Sequence, residues 1–277
     1  MYQSKENKRN RNTNAKNKHE QGNHRFRKWG LRILLLYLMG ACLMMCGCST
    51  KSIDDQFIRS LEKGLTARWD ATDQCEKWDD VLTKSDYENF IDAELDQISK
   101  FEDEKFEDEE LGKLAKEYIS ITNNSLEILK DFQNDSKFES EWEKLKNDRT
   151  ECLAKINKKK PLEFSSERDQ EYFDGLISQG EVVAGVREIQ KNVNFKVKDD
   201  EDDDETYHTY VATVENTTDT EFDSFDLDIK LVDKNGKTLE TTYASASNWK
   251  PGEKAEFEFL SDKKFDKIEI AECEYYY

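Results

Sequence analysis

The chain has 277 residues, 37% of them charged, and its 61 Asp and Glu outnumber 42 Lys and Arg for a formal net charge of −19. That balance repels nucleic-acid phosphates and anionic lipid headgroups, so neither is an expected partner of the acidic part of the chain. Two prolines and 11 glycines leave little material for long irregular loops.

Residues Met1–Lys28 are polar, asparagine-rich and basic. A basic run of this kind can touch phosphates, but its place ahead of an apolar stretch reads as a leader held on the cytoplasmic side. Ile33–Cys46 follows, 14 residues without a charge, where a spanning helix needs roughly 20. Arg25, Arg27, Lys28 and Arg32 come before it, the order of an export signal.

The run closes on Met45-Cys46-Gly47-Cys48-Ser49-Thr50, which resembles the lipobox of bacterial lipoproteins. The resemblance implies cleavage after Gly47 and a diacylglyceryl group on Cys48. Cys42 is followed by apolar Leu43-Met44-Met45, and Cys46 is preceded by bulky Met45; only Cys48 has glycine before it and polar residues after it. Met45 and Cys46 depart from the aliphatic and small residues that the family places there. An uncleaved signal anchor is the alternative. Two acyl chains, at ~0.8 kcal/mol per buried methylene, would hold the protein at a membrane where one chain would not. Loss of residues 1–47 removes ten Lys/Arg and two Asp/Glu, which takes the formal charge from −19 to about −27. The expected location is the extracytoplasmic face of the cell membrane, with the membrane itself as a partner through the lipid on Cys48.

Residues 48–51 form a tether. Residues 52–160 then carry apolar residues at helical spacing in four stretches. Ser52–Thr83 has Phe57, Leu61, Leu65, Cys75, Trp78 and Leu82, with a polar gap at Arg68 and Thr72. Ser85–Glu104 has Tyr87, Ile91, Leu95, Ile98 and Phe101; Asp108–Asn134 has Leu111, Leu114, Tyr118, Ile121, Ile128 and Phe132; Ser136–Lys159 has Phe138, Trp142, Leu145, Cys152 and Ile156. Ser85-Asp86-Tyr87-Glu88 and Ser136-Lys137-Phe138-Glu139 both fit a capping box. Lys158-Lys159-Lys160-Pro161 ends the last helix with cations at its negative pole. Stripes this short are best buried against one another, so an antiparallel helical bundle is expected, with a coiled-coil partner face as the other possibility.

Residues 161–192 read as a connector, with a helix over Ser166–Ile177. Val182, Val183, Val186 and Ile189 suit either a short helix or a first strand. From Val193 the period becomes two: Val193, Phe195 and Val197 alternate with polar residues, as do Phe225, Leu227, Ile229 and Leu231. Asp233-Lys234-Asn235-Gly236 and Lys250-Pro251-Gly252-Glu253 are turns. Ala255, Phe257 and Phe259, then Ile268 and Ile270, mark the last strands. Residues 193–277 therefore predict an Ig-like antiparallel β-sandwich, and the chain a two-part α+β fold.

Tyr210–Ile270 also resembles the FxLYD domain of Gram-positive lipoproteins. The shared features are Val214, Asn216 and Thr218 at a strand end, the strand closing on Leu231 and Asp233 before Lys234-Asn235-Gly236, and Pro251-Gly252-Glu253-Lys254 before Phe257 and Phe259. Ile229 and Val232 stand where that family has Phe and Tyr. The resemblance implies a small β-sandwich and carries no catalytic residues with it.

Chemistry is sparse. His208 is the one histidine after the leader, in a strand beside Tyr207 and Tyr210, so neither a multi-histidine zinc site nor a Ser-His-Asp triad is expected. Beyond Cys48 the cysteines are Cys75, Cys152 and Cys273, without C-x-x-C spacing. Cys75 and Cys152 could form a disulfide outside the cytoplasm, or could be small buried residues on helix faces. No G-x-x-x-x-G-K or G-x-G-x-x-G occurs. Neither a cofactor nor a small-molecule ligand is indicated. The expected role is a non-enzymatic binding or scaffolding module with a protein partner at the cell envelope. A solute-binding lipoprotein of a transporter, whose two α/β lobes would need βαβ alternation, and a carboxylate-dependent envelope enzyme are the alternatives. The acidic run Asp199–Glu205 offers oxygen ligands for Ca²⁺ but lacks the glycine and spacing of an EF-hand, and a solvated hairpin loop is the plainer reading. Millimolar calcium is accordingly expected to leave the melting temperature of the chain unchanged in a thermal-shift titration.

Overall fold

The computed structural model describes residues 51–75, 82–132, 135–198 and 207–277; the leader, Gly47, Cys48 and the acidic run 199–205 lie outside the described residues. Five helices come first: α1 (Ile53–Gln74), α2 (Lys84–Ile98), α3 (Glu109–Ile128), α4 (Asp135–Lys159) and α5 (Glu167–Asn192). Six strands follow: β1 (Lys196–Val197), β2 (His208–Glu215), β3 (Phe222–Val232), β4 (Thr238–Trp249), β5 (Lys254–Ser261) and β6 (Lys267–Tyr276). All strand pairs are antiparallel, in two sheets of order β1-β2-β5 and β4-β3-β6. None of the described helices is long and apolar enough to cross a membrane.

Short polar side chains set the helix starts. Ser52 Oγ accepts from the Asp55 amide at 3.0 Å, and Asp108 Oδ1 accepts from the Glu110 and Leu111 amides. The capping box of α2 lies two residues ahead of the expected one. Thr83 Oγ1 accepts from the Asp86 amide while Asp86 Oδ2 accepts from the Thr83 amide at 2.7 Å, because an Asp at the third helical position reaches back as a Glu would. Ser85 is therefore inside the first turn. Ser136 is inside as well, since α4 begins at Asp135.

The stripes read from the sequence meet in one core: Phe57, Leu61 and Leu65 of α1, Ile91, Leu95 and Ile98 of α2, Leu111 and Tyr118 of α3, and Cys152 and Ile156 of α4. A second core lies between the sheets, with Phe225, Leu227, Ile229 and Leu231 of β3 and Trp249 of β4 against Phe257 and Phe259 of β5. Phe225 meets Phe257 at 6.0 Å between ring centroids, and Trp249 meets Phe257 at 5.4 Å, so side chains of both sheets share this core.

The expected connector is one continuous helix, α5, and it enters both cores. Phe173 is buried in the first; Val182, Val186 and Ile189 are buried in the second. Nine residues separate Phe173 from Val182, about two and a half turns at 3.6 residues per turn, so the two apolar faces point in opposite directions. At the changeover, Gly180 lies against α4: a Cβ there would stand 2.2 Å from the Thr150 carbonyl oxygen and 3.1 Å from Ala154 Cβ. The alternating run from Val193 yields only the two-residue β1, because Val193 is already the cap of α5 and strand pairing is confined to Lys196 with Val211 and Val197 with Tyr210; the Lys198 amide adds one bond to the Thr209 carbonyl.

Turns follow the glycines. Gly236 (φ 81°) and Gly252 (φ 75°) occupy the left-handed region that other residues enter at a cost. Asn216 is buried and satisfied on every side: Nδ2 donates to the Thr220 and Trp249 carbonyls, and Oδ1 accepts from the amide and hydroxyl of Thr218. Its backbone bonds Glu253 and Gly252 across the β4–β5 turn. The loop is thereby held shut, and the Thr218 methyl group seats over Gly185 of α5. Gly180→Ala is expected to destabilise the chain by about 1–3 kcal/mol, since a backbone carbonyl cannot yield as a side chain would; urea unfolding of the variant beside Gly185→Ala, which meets only a side chain, reads the difference.

Candidate functional site

Four helices each send one polar side chain to a single point. Glu94 of α2 is fully buried. Its Oε1 accepts from the Tyr118 hydroxyl (α3) at 2.5 Å and from Arg149 Nη2 (α4) at 2.9 Å, and its Oε2 accepts from Arg149 Nη2 at 2.8 Å and Arg68 Nη1 (α1) at 2.9 Å. The Arg149 guanidinium also lies over the Tyr118 ring, 5.4 Å from its centroid. α1 can approach this close because Gly64 faces the Glu94 backbone; a Cβ there would be 3.1 Å from the Glu94 carbonyl oxygen.

Burial alone would raise the Glu94 carboxyl, but the Arg149 and Arg68 charges and the Tyr118 hydrogen bond outweigh it and hold it at about 2. Burial pushes the Tyr118 hydroxyl well up, so it donates as a neutral phenol. The centre thus gathers two guanidiniums on one carboxylate. None of the described clefts opens onto Glu94, and the centre serves as a pin through the helical core.

Two further arginines fasten α5 at its ends. Arg168 bonds Asp70 and Asp73 of α1 as well as Asp169 beside it. Arg187 bonds Asp148 and Glu151 of α4.

An open cleft of about 590 Å³ lies between α4, α5 and strand β6. Glu143 and Lys144 line it from α4, Val186 and Arg187 from α5, and residues 271–275 from β6. β6 is the outer strand of its sheet and pairs only with β3. On its free side Gln190 Nε2 donates to the Ile270 carbonyl at 3.2 Å. The register slips between Asp228 and Ile229, so that Ala271 is an extra residue in β6. Beyond it Glu272 stands opposite Asp228, and Glu274 opposite Asp226. These four carboxylates share the face of the sheet that looks away from the core, since Phe225, Leu227 and Ile229 take the inner face. Two like-charge pairs in direct register are destabilising. No ion-pair partner reaches any of the four among the described residues. Tyr276 and Tyr243 flank them on the same face, 67% and 70% exposed.

The residues singled out in the sequence are scattered. His208 is exposed at the start of β2, away from the cleft. Cys75 and Cys152 are not bonded to one another: Cys152 is a buried thiol that donates to the Leu114 carbonyl of α3 at 3.5 Å, while Cys75 ends α1. Of the other reading, two small buried residues on helix faces, Cys152 fits and Cys75, half-buried at a helix end, does not. Cys273 lines the cleft, where burial first and then Glu272 and Asp228 push its thiol up to about 12, the reverse of an activated nucleophile. Among the described residues no three His, Cys, Asp or Glu are grouped to hold a metal ion.

The Glu94 centre escaped the sequence reading, although it left a trace. Glu94 lies three residues after Ile91 and four before Ile98, and Arg149 lies four after Leu145 and three before Cys152, so both charges sit on apolar stripes. The cleft left none, because it depends on how β6 lies beside α5. Comparisons with protein-family models, curated proteins and solved structures return no match.

Replacing Glu94 with Gln strands the buried Arg149 guanidinium and the partly buried Arg68 and is expected to cost about 3–5 kcal/mol at pH 7. Because the folded carboxyl lies near 2, below its ordinary 4.5, its stabilisation is complete above about pH 4.5 and is lost as pH falls toward 2. Urea midpoints measured from pH 7 down to pH 2.5 should fall more steeply for the parent chain than for Glu94→Gln.

Proposed function

We propose that the chain is a lipid-anchored protein of the extracytoplasmic membrane face, acting as a non-enzymatic binding or scaffolding module. The observation that carries this reading is the sequence Gly47-Cys48-Ser49-Thr50 at the end of a short apolar run led by basic residues. The position of the first described helix supports it: Ser52, four residues after Cys48, already caps α1. The acidic surface suits a soluble body held near, but not on, anionic headgroups.

In this reading the five helices form the antiparallel bundle next to the anchor, and the two sheets form an Ig-like sandwich of the FxLYD kind. The role of Asn216 supports the second point. The residue that heads the shared Asn-x-Thr motif is a buried clasp joining the β2–β3 loop to the β4–β5 turn, a structural reason for that motif to recur at that place. Binding then falls to sheet edges and helix faces, which need no catalytic group.

Mass spectrometry of protein recovered from bacterial membranes tests the proposal. The expected species begins at Cys48 and carries a diacylglyceryl group, while Cys48→Ala retains residues 1–47. A parent chain that keeps those residues, or whose Cys48 is unmodified, overturns it.

A further inference from the structure

We propose that the free edge of β6, together with the carboxylates on the adjoining sheet face, docks an extended polypeptide segment with Lys or Arg at alternate positions as an added strand. This rests on reading the protein as a binding module and names the surface and the partner chemistry.

Three features converge there. The first is the edge itself. β6 pairs on one side only, Gln190 meets the Ile270 carbonyl, and residues 271–275 border an open cleft of about 590 Å³. A strand that ends a sheet presents a row of backbone donors and acceptors to any chain that can lie alongside.

The second is the charge on the face. Asp228 and Glu272 form one cross-strand row, and Asp226 and Glu274 the next. Neighbouring strands lie about 4.8 Å apart, so a fourth strand beside β6 would bring its outward side chains opposite Glu272 and Glu274. A cation at each position would turn two repulsive rows into attractive ones. On the α4 wall Glu143 is paired with Lys146 and stands beside Lys144, so the attraction rests on the β3 and β6 carboxylates; Arg187, the cleft's guanidinium, is already neutralised by Asp148 and Glu151. Side chains of the added strand that alternate with the cations would face Val186 of α5 and the neutral Cys273 thiol, which favours small apolar residues between the charges.

The third is aromatic. Tyr276 follows Glu274 by two residues on the same face and is 67% exposed. A tyrosine ring beside a carboxylate row suits a guanidinium or ammonium that leaves the last position of the strand.

Fluorescence anisotropy of the full chain with a labelled ten-residue peptide alternating lysine and valine tests the inference. The parent chain should bind it, and Glu272→Lys with Glu274→Lys should weaken binding by about tenfold or more. The same reversal at two exposed carboxylates of the helical part, Glu102→Lys with Glu104→Lys, should change it less than about twofold. A peptide of equal charge, N-methylated at alternate amides so that it cannot pair as a strand, should also bind about tenfold more weakly. Equal losses at the two pairs, or undiminished binding of the methylated peptide, overturn the inference in favour of general attraction to a polyanion. No binding to the parent chain also overturns it, and leaves the carboxylates as guards against self-pairing of β6. Lipidation at Cys48 is read separately, so an anchored chain that ignores the peptide sinks this inference alone.

Discussion

The helical half of the molecule depends on one carboxylate. Glu94 draws a ligand from each of three other helices, and it is the shared acceptor for both Arg68 and Arg149. A buried ion pair seldom adds net stability over a well-packed apolar residue, because the desolvation of both partners consumes most of the Coulomb gain. What such a centre does provide is geometry. Leucine in place of Glu94 would accept several packings of α1 against α4, whereas two guanidiniums and a phenol donor must converge on the two oxygens of one carboxylate. Gly64 is part of the same design, since a Cβ there would press on the Glu94 carbonyl oxygen at 3.1 Å, where α1 comes near enough for Arg68 to reach.

Polar side chains carry the same logic outward. Buried Asp54 of α1 accepts the amides of Glu107 and Asp108 and so fixes the loop that opens α3. Arg168 and Arg187 hold the two ends of α5 to α1 and α4. In the sheets the corresponding part is Asn216, an uncharged clasp. Charged pins therefore serve the helices, whose contacts are side chain to side chain. The sheets already have their backbone ladders, and one amide closes their remaining gap.

Much of this was legible before any coordinates. Periodicity located the helical segments and the change to strands near Val193, since spacing of 3.6 and of 2 are both robust over a dozen residues. Helix starts were less secure: Thr83 and Asp86 form the cap where Ser85 and Glu88 were expected, a choice that turns on which side chain reaches an amide. α5 was the hardest element. Its apolar residues leave one face at Ile177 and resume on the opposite face at Val182, so no single stripe runs through it, and a search for one stripe sees a helix that stops. The Glu94 centre and the β6 cleft needed the third dimension, because the first joins residues to Glu94 from 24 to 55 positions away and the second joins a helix to a strand.

The double allegiance of α5 bears on how the molecule can be taken apart. A helix whose first half is wall to one core and whose second half is wall to the other belongs to neither alone. A cut anywhere within it strips one core of Phe173 or the other of Val186 and Ile189. The two halves should consequently lose their structure in a single concerted transition, and a pull on the strands would be felt along a rigid rod of 26 residues by the helices that lie nearest the start of the folded chain.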